Sequence, residues 1–136
     1  MTSDLLARLQ SASSEVRTAA TYELDYGEFA HPEILAAVRS NLGSANTDLV
    51  EITIMRLLIR GKDTQSADRV LAILETTRDD LVFSAAVLAL SNLAWDFPDT
   101  AARTLRSLEA LRKSDLSADK LNLLDEQLAT LRQRSA

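Results

Sequence analysis

The strongest constraint on the fold is a pattern of apolar residues that recurs along the chain at a nearly constant interval. Aligning Val16, Val50 and Val82 superposes the segments VRTAATYEL, VEITIMRLL and VFSAAVLAL. The valines are 34 and then 32 residues apart. Apolar residues also recur four and eight positions after each valine: Ala20, Ile54, Ala86, Leu24, Leu58 and Leu90. A fixed period of this size, with two helices per unit, is typical of an α-solenoid, in which each unit buries its apolar face against its neighbours.

Helical periodicity predicts an all-α chain of about eight helices. The 136 residues include only three glycines and two prolines. The predicted helices are residues 3–10, 14–27, 32–43, 47–60, 64–76, 79–95, 98–113 and 117–134. Pro32 and Pro98 suit the first turn of a helix, where a missing N–H costs nothing. Gly27 and Gly61 are predicted to be left-handed residues that end helices.

Two segments carry a resemblance to a known repeat family. The first, SASSEVRTAATYELDYG, combines a polar loop with Val16, Arg17, Ala20, Leu24 and a terminal Gly27. The second, HPEILAAVRSNL, has Pro32 at the opening of the first helix of a unit. Over residues 4–95 the chain therefore resembles the short bacterial HEAT-like repeat proteins. It departs from their pattern where the arginine after the valine is replaced by Glu51 and Phe83.

The resemblance implies a right-handed α-solenoid of about four helix pairs. We expect residues 1–136 to form a single HEAT-like repeat domain, whose last pair, about residues 98–136, is degenerate or forms a cap. That pair lacks the valine but keeps an apolar stripe of Leu121, Leu124, Leu128 and Leu131. A globular helical bundle with accidental periodicity is the alternative architecture.

Charge is distributed unevenly along the chain. The formal net charge is −5; residues 1–55 carry eight acidic residues against three arginines, and the remainder carries twelve of each sign. The imbalance is centred on TYELDYGEFAHPE, residues 21–33, which contains no lysine or arginine. An acidic surface repels the phosphate backbone, so we expect no nucleic-acid partner. A basic protein would gain from the same field, and we expect a partner of that kind.

The residue inventory argues against catalysis and metal binding. Cysteine is absent and His31 is the only histidine, which removes thiol chemistry and the usual zinc ligand sets. Glu28, His31 and Glu33 surround a glycine–proline loop and do not share one helical face. The three glycines are too far apart in the sequence to form a phosphate loop. We interpret the chain as a non-enzyme with no metal and no cofactor.

No uninterrupted apolar run approaches the roughly 18 residues that a membrane span needs. The first residues, MTSDLLARLQ, lack the positive region and apolar run of a signal peptide. We therefore expect a cytoplasmic protein with no membrane partner. The sequence does not decide the oligomeric state.

The resemblance to HEAT-like repeats implies that the second helix of each pair lines the concave face, and the repeat alignment predicts which side chains lie there. Positions 6, 10 and 13 after the valine lie on one helical face, away from the apolar stripe. They hold Tyr22, Arg56, Leu88, Tyr26, Arg60, Asn92 and Trp95. Tyrosine, tryptophan and arginine dominate the energetics of protein interfaces. All of these except Leu88, together with the acidic Glu23, Asp25 and Glu28, form the predicted protein-binding surface.

Two parts of this prediction have structural alternatives. Tyr22 and Trp95 could instead pack against neighbouring helices with their polar edges at the rim. The segment LVEITIMRLLIR is apolar nearly all round, which is typical of a helix between two repeats. Leu49, Ile52 and Ile59 therefore belong either to the core or to an exposed groove.

The surface composition suggests three hypotheses for function. The first is a non-catalytic protein-binding module, in its most concrete form an immunity protein that blocks a basic bacterial toxin domain. The second is a scaffold, adaptor or assembly factor that holds a partner helix in an apolar concave groove around Ile52, Leu88 and Trp95. The third is an enzyme with two carboxyl groups in an enclosed cleft. We favour the first.

Overall fold

The structure is a computed structural model that describes residues 2–135. Over that range the chain is helical and has no strand, so the predicted all-α class is confirmed. The α-helices of this range are α1 (Thr2–Leu9), α2 (Ser14–Tyr22), α3 (Pro32–Ser40), α4 (Thr47–Met55), α5 (Ala67–Thr76), α6 (Asp80–Asp96), α7 (Pro98–Arg112) and α8 (Ala118–Ser135). Short 3-10 turns lie at Tyr26–Ala30, Asn41–Gly43 and Thr64–Ser66, and a π-helical turn, Arg56–Arg60, extends α4.

Local capping residues explain where several helices begin. The side-chain oxygens of Ser13, Asn46 and Asp79 accept hydrogen bonds from first-turn N–H groups of α2, α4 and α6, at 3.4, 3.0 and 2.9 Å. These N–H groups have no partner inside the helix, so each cap stabilises its helix start. Pro32 and Pro98 are the first residues of α3 and α7, which confirms their predicted positions.

The even-numbered helices pack in series, α2 on α4, α4 on α6 and α6 on α8. Helix α1 packs on α2, α5 on α6, and α7 on both α6 and α8. One hydrophobic core extends from Leu5 in α1 to Leu131 in α8. The residues four and eight positions after the repeat valines are all buried: Ala20, Ile54, Ala86, Leu24, Leu58 and Leu90. The recurring apolar positions therefore mark the core-facing side of these segments.

The last two helices contribute to the same core. Leu124, Leu128 and Leu131 of α8 are buried, and Leu121 is half-buried. The predicted apolar stripe of the final pair thus packs inward although the repeat valine is lost there.

The prediction of a core position was wrong for the first repeat valine. Val50 and Val82 are buried, whereas Val16 is 39% exposed. Helix α4 lies between α2 and α6, and α6 lies between α4 and α8, but among the described helices α2 packs closely on just one even-numbered neighbour, α4. The missing neighbour leaves Val16 in contact with solvent, although its sequence environment matches that of the other two.

The predicted extent of the second helix was also wrong. Helix α2 ends at Tyr22 instead of residue 27, because the residues after it form a separate local turn. The Glu28 carboxylate accepts a hydrogen bond from the Asp25 N–H at 2.8 Å, and Tyr26–Ala30 forms a 3-10 turn. This Asp-x-x-Glu pattern is a helix-start signature that competes with continuation of α2.

The two predicted left-handed glycines do not adopt that conformation. No glycine in residues 2–135 has a positive φ, so the prediction was wrong for Gly27 and Gly61. The positive φ near the end of α4 belongs to Lys62, at 51°. The Gly61 N–H instead closes the π-helical turn by donating to the Arg56 carbonyl at 2.8 Å.

Candidate protein-binding surface

Two arginines of α4's π-helical turn reach back to the end of α2. The Arg56 guanidinium lies over the Tyr22 ring, 5.6 Å from its centroid, and Nη2 donates to the Tyr22 carbonyl at 3.3 Å. Arg60 Nη1 donates to the Leu24 carbonyl at 2.9 Å. Carbonyls at a helix C-terminus lack partners within the helix. The two arginines supply those partners and hold the end of α2 against α4.

The environment of Arg56 is unusual for a cation. Burial lowers the pKa of its guanidinium, and the positive charge of Arg60 lowers it further. Its Nε is buried and has no hydrogen-bond partner within residues 2–135. Arginine nevertheless stays protonated in proteins. Arg56 therefore serves as a fixed cation that orients the Tyr22 ring.

The carboxylates of residues 21–33 are largely engaged in local contacts. Glu23 forms an ion pair with Arg8 of α1. Asp25 Oδ1 lies 3.8 Å from Arg60 Nη1, although the Asp25 side chain is 84% exposed. Glu28 caps the turn that follows α2. Much of the charge that marks this stretch in the sequence is thus offset by arginines from α1 and the π-helical turn.

A different pair of carboxylates shares a surface depression with Tyr22. One face of α2 carries Glu15, Thr18, Ala19 and Tyr22. These four residues line an open depression of about 320 Å³ together with Asn46 and Asp48. We call these six residues the tyrosine edge. Glu15 and Asp48 are exposed, and within residues 2–135 neither has an ion-pair partner. Tyr22, the last residue of α2, is 55% exposed.

A hydrogen bond between the starts of α2 and α4 joins the two helices that form the tyrosine edge. Asn46 Nδ2 donates to Ser14 Oγ at 2.9 Å, across the junction of the two helices. This contact places Asp48, in the first turn of α4, beside the α2 face that carries Glu15. Sequence reasoning missed both carboxylates. The signal for Glu15 was its seven-residue spacing from Tyr22, which puts the two on one helical face.

The predicted residues of α6 lie at a separate place, in a groove between α4, α6 and α8. This α6 groove has a volume of about 370 Å³ and is lined by Met55, Ile59, Leu88, Ser91, Asn92, Trp95, Gln127 and Thr130. None of these side chains is charged. Trp95 is 45% exposed, so it is an element of the surface and not of the core. Lys62 Nζ donates to Asn92 Oδ1 at 2.7 Å and pairs with Asp96 beside the groove.

The structure also shows whether the apolar residues of the α4 segment belong to the core or to the groove. Leu49 and Ile52 are buried core residues, whereas Ile59 lines the groove. The expectation of Ile52 as a groove residue was therefore wrong. Tyr26 is exposed in the 3-10 turn, outside the helix whose spacing had placed it in line with Arg60 and Asn92.

The most buried carboxylate lies elsewhere and is structural. Arg39 donates to Asp63 through Nε at 2.8 Å and Nη2 at 2.7 Å, and Ser66 Oγ donates to the same carboxylate. Burial alone would raise the pKa of Asp63, but these hydrogen bonds outweigh it and hold the pKa below its ordinary value. Asp63 therefore stays ionised near neutral pH, as a link between α3 and the turn that precedes α5.

Within residues 2–135, no group of three or more His, Asp or Glu side chains is arranged to hold a metal ion. His31, the N-cap residue of α3, is exposed. None of the described helices combines the length and apolar character needed to cross a membrane.

Comparison with known proteins gives no relative to which the site could be transferred. No protein-family model, no curated protein and no solved structure matches the chain. The assignment of function therefore rests on the chain's own residues.

Proposed function

We propose that this chain is a non-catalytic protein-binding module that binds a basic protein through the tyrosine edge. The observation that carries the proposal is the surface depression that the half-exposed Tyr22 shares with Glu15 and Asp48, two carboxylates without an ion-pair partner in the described part of the chain. Tyrosine supplies a large contact area with few rotatable bonds, and it is enriched among residues that dominate binding energy.

The two unpaired carboxylates of the tyrosine edge favour recognition of a cation. Arg56 covers one side of the ring, so Tyr22 is ordered before a partner arrives and loses little entropy on binding. A lysine or arginine of the partner could lie between Glu15 and Asp48, where both carboxylates attract it. The net charge of −5 would further increase the rate of encounter with a basic protein.

The serial packing of α2, α4, α6 and α8 supports the finer description of the fold. We place the chain among right-handed α-solenoids of the HEAT-like type, with about four helix pairs in a single domain over residues 1–136. The α7–α8 pair would close one end of the array as its cap.

The concrete biological form we propose is an immunity protein of a bacterial cytoplasm. Such a protein must cover a toxin domain by binding alone, and basic nuclease toxins favour acidic inhibitors. The acidic composition, the absence of cysteine and the exposed tyrosine edge support this role.

A scaffold or adaptor is the second candidate function. The uncharged lining of the α6 groove favours it, since an apolar helix could lie there without burying an unpaired charge. The two candidates differ in the residues they need: Tyr22, Glu15 and Asp48 for the first, and Leu88 and Trp95 for the second.

The test compares three immobilised baits in a lysate of the native host. They are the wild-type chain, the Glu15→Lys/Asp48→Lys variant, and the control Glu33→Lys/Asp99→Lys. All four carboxylates are exposed first-turn residues, so both variants change charge and helix-end electrostatics equally. We expect a basic protein that binds wild type and control but binds the first variant at least about tenfold more weakly, a loss of about 1.4 kcal/mol.

Salt and growth measurements complete the test. Binding through exposed carboxylates should weaken as salt rises from about 0.05 to 0.5 M. For the immunity role, expression of the captured protein should arrest growth, and wild type, but not Glu15→Lys/Asp48→Lys, should restore it. Equal retention of the same protein by all three baits would contradict docking at the tyrosine edge.

A further inference from the structure

The exposed face of α6 has a near-symmetric order of residues. Leu88 is at the centre: Leu81 and Trp95 lie seven positions before and after it, and Ser84 and Asn92 lie four positions before and after it. We call these five residues the α6 stripe. Seven residues span about 10.5 Å of helix and almost two full turns, so Leu81, Leu88 and Trp95 lie on one face at equal intervals.

Apolar side chains are exposed along the whole stripe. Leu81 is 62% exposed, Leu88 39% and Trp95 45%, although α6 otherwise forms the centre of the core between α4 and α8. An opening lies at each end of the stripe. The α6 groove, about 370 Å³, lies beside Leu88 and Trp95, and a second depression of about 350 Å³ lies beside Leu81 and Ser84.

This order of residues is complementary to itself when the helix is reversed. If two copies of α6 pack antiparallel about a two-fold axis at Leu88, then Leu81 of each copy meets Trp95 of the other. Ser84 of each copy likewise meets Asn92 of the other, so polar groups face polar groups. A two-fold interface requires this property, because the same surface patch must serve both partners.

The charges at the two ends of α6 have opposite sign. The depression beside Leu81 is lined by Asp80, Asp119 and Lys120, which sum to one net negative charge. Lys120 pairs with Asp80, and its side chain is the less exposed of the two. The carboxylates therefore dominate the surface there.

The opposite end carries more cations than anions. The π-helical turn that carries Arg56 and Arg60 packs on α6, Lys62 pairs with Asp96 of α6, and Asp25 pairs with Arg60. These three cations and two carboxylates sum to one net positive charge. An antiparallel arrangement brings the negative end of each copy towards the positive end of the other, whereas a parallel arrangement would bring like charges together.

We propose that a second copy of this chain covers the α6 stripe, in an antiparallel two-fold dimer centred on Leu88. Leu81 of one copy enters the α6 groove of the other, against Met55, Ile59 and Trp95. The tyrosine edge, on α2 and the start of α4, stays outside this contact and is available to a different partner.

The first experiment is sedimentation of the purified chain. The wild type should sediment at about 50 µM as a dimer, with twice the monomer mass of 14.9 kDa. Leu88→Arg places two like charges on the axis and should give a monomer with unchanged helical circular dichroism. Val16→Arg is the matched control, because Val16 is also 39% exposed, and it should leave the dimer intact. A monomeric wild type, or a dimeric Leu88→Arg, overturns the proposal.

Cross-linking tests the orientation and does not depend on the folding of the arginine variant. The chain has no cysteine, so an introduced thiol is unique. Mixed Leu81→Cys and Trp95→Cys chains should form the mixed disulfide under oxidation in preference to either homodimer. Leu88→Cys should cross-link to itself, and Val16→Cys should not. Preference for Leu81 or Trp95 homodimers would indicate a parallel contact. Absence of cross-linking would indicate that the stripe is left for an occupant other than a second copy, such as a partner helix. Either result overturns the proposal.

Discussion

Phe29 packs directly against the backbone of Gly61, so that residue 61 has no room for a side chain. A Cβ atom at Gly61 would lie 2.8 Å from Phe29 Cδ1 and 2.9 Å from the Leu57 carbonyl oxygen. One of these neighbours is backbone, and the other is a buried ring, so neither yields without disturbing the core. The glycine at this position is required for close packing between the turn after α2 and the end of α4.

Gly61→Ala should therefore lower the free energy of unfolding by about 1–3 kcal/mol, the usual range for overpacking a well-filled site. Urea denaturation of wild type and variant at pH 7 measures the difference. Gly27→Ala is the control, because its φ is negative and no atom beyond its chain neighbours lies within 4 Å of the added Cβ. It should change stability by less than about 1 kcal/mol, in the stabilising direction. Equal losses for both variants would contradict the packing argument.

The three repeat valines should respond differently to truncation although they occupy equivalent positions in the sequence. Val50→Ala and Val82→Ala each remove two buried methyl groups and should cost about 2 kcal/mol, since transfer and cavity terms both count. Val16→Ala should change stability by less than about 0.5 kcal/mol, because Val16 is on the surface. Chemical denaturation of the three variants provides the comparison, and a cost at Val16 equal to that at Val50 would show that α2 has a covering neighbour.

The buried ion pair of Arg39 and Asp63 should make stability fall in acid. The folded-state pKa of Asp63 lies below its ordinary value of 3.8, so its contribution is fully present above about pH 4 and is lost as pH falls through the folded pKa. Asp63→Asn should cost about 2 kcal/mol at pH 7, since it weakens hydrogen bonds to a charged group. The difference between wild type and variant should shrink when urea denaturation is repeated below pH 4.

Asp68→Asn serves as the control for this prediction. Asp68 pairs with Arg103, but its side chain is 69% exposed, and an exposed pair contributes less than about 1 kcal/mol. A pH-independent difference between wild type and Asp63→Asn would show that the ionised form of Asp63 does not stabilise the fold.

Much of the helical architecture was accessible from local sequence signals. Pro32 and Pro98 begin helices where a first-turn proline is tolerated, and the apolar positions at Leu24, Leu58 and Leu90 are all buried. These features depend on backbone preference and on 3.6-residue spacing, both of which act over a few residues. The end of α2 escaped prediction because the Asp25–Glu28 turn was not recognised as a competing helix start.

The candidate surface was harder to predict, because its properties depend on contacts between distant residues. Glu23 was expected to face a partner, yet Arg8 of α1 pairs with it. Arg56 was expected to bind a partner, and in the structure it orients Tyr22. Glu15 and Asp48 became candidates only when the packing of α2 on α4 placed them in one depression with Tyr22.

The sequence alone determined the all-α class, most helix positions and the apolar positions that face the core, because the spacing of apolar residues follows the period of the helix. The tertiary structure decided which of these apolar and charged residues are exposed. Val16 and Val50 occupy equivalent positions in their repeats, and only the number of neighbouring helices separates a surface residue from a core residue. The same holds for carboxylates, since a charge is available to a partner only if no arginine from another helix lies within reach of it.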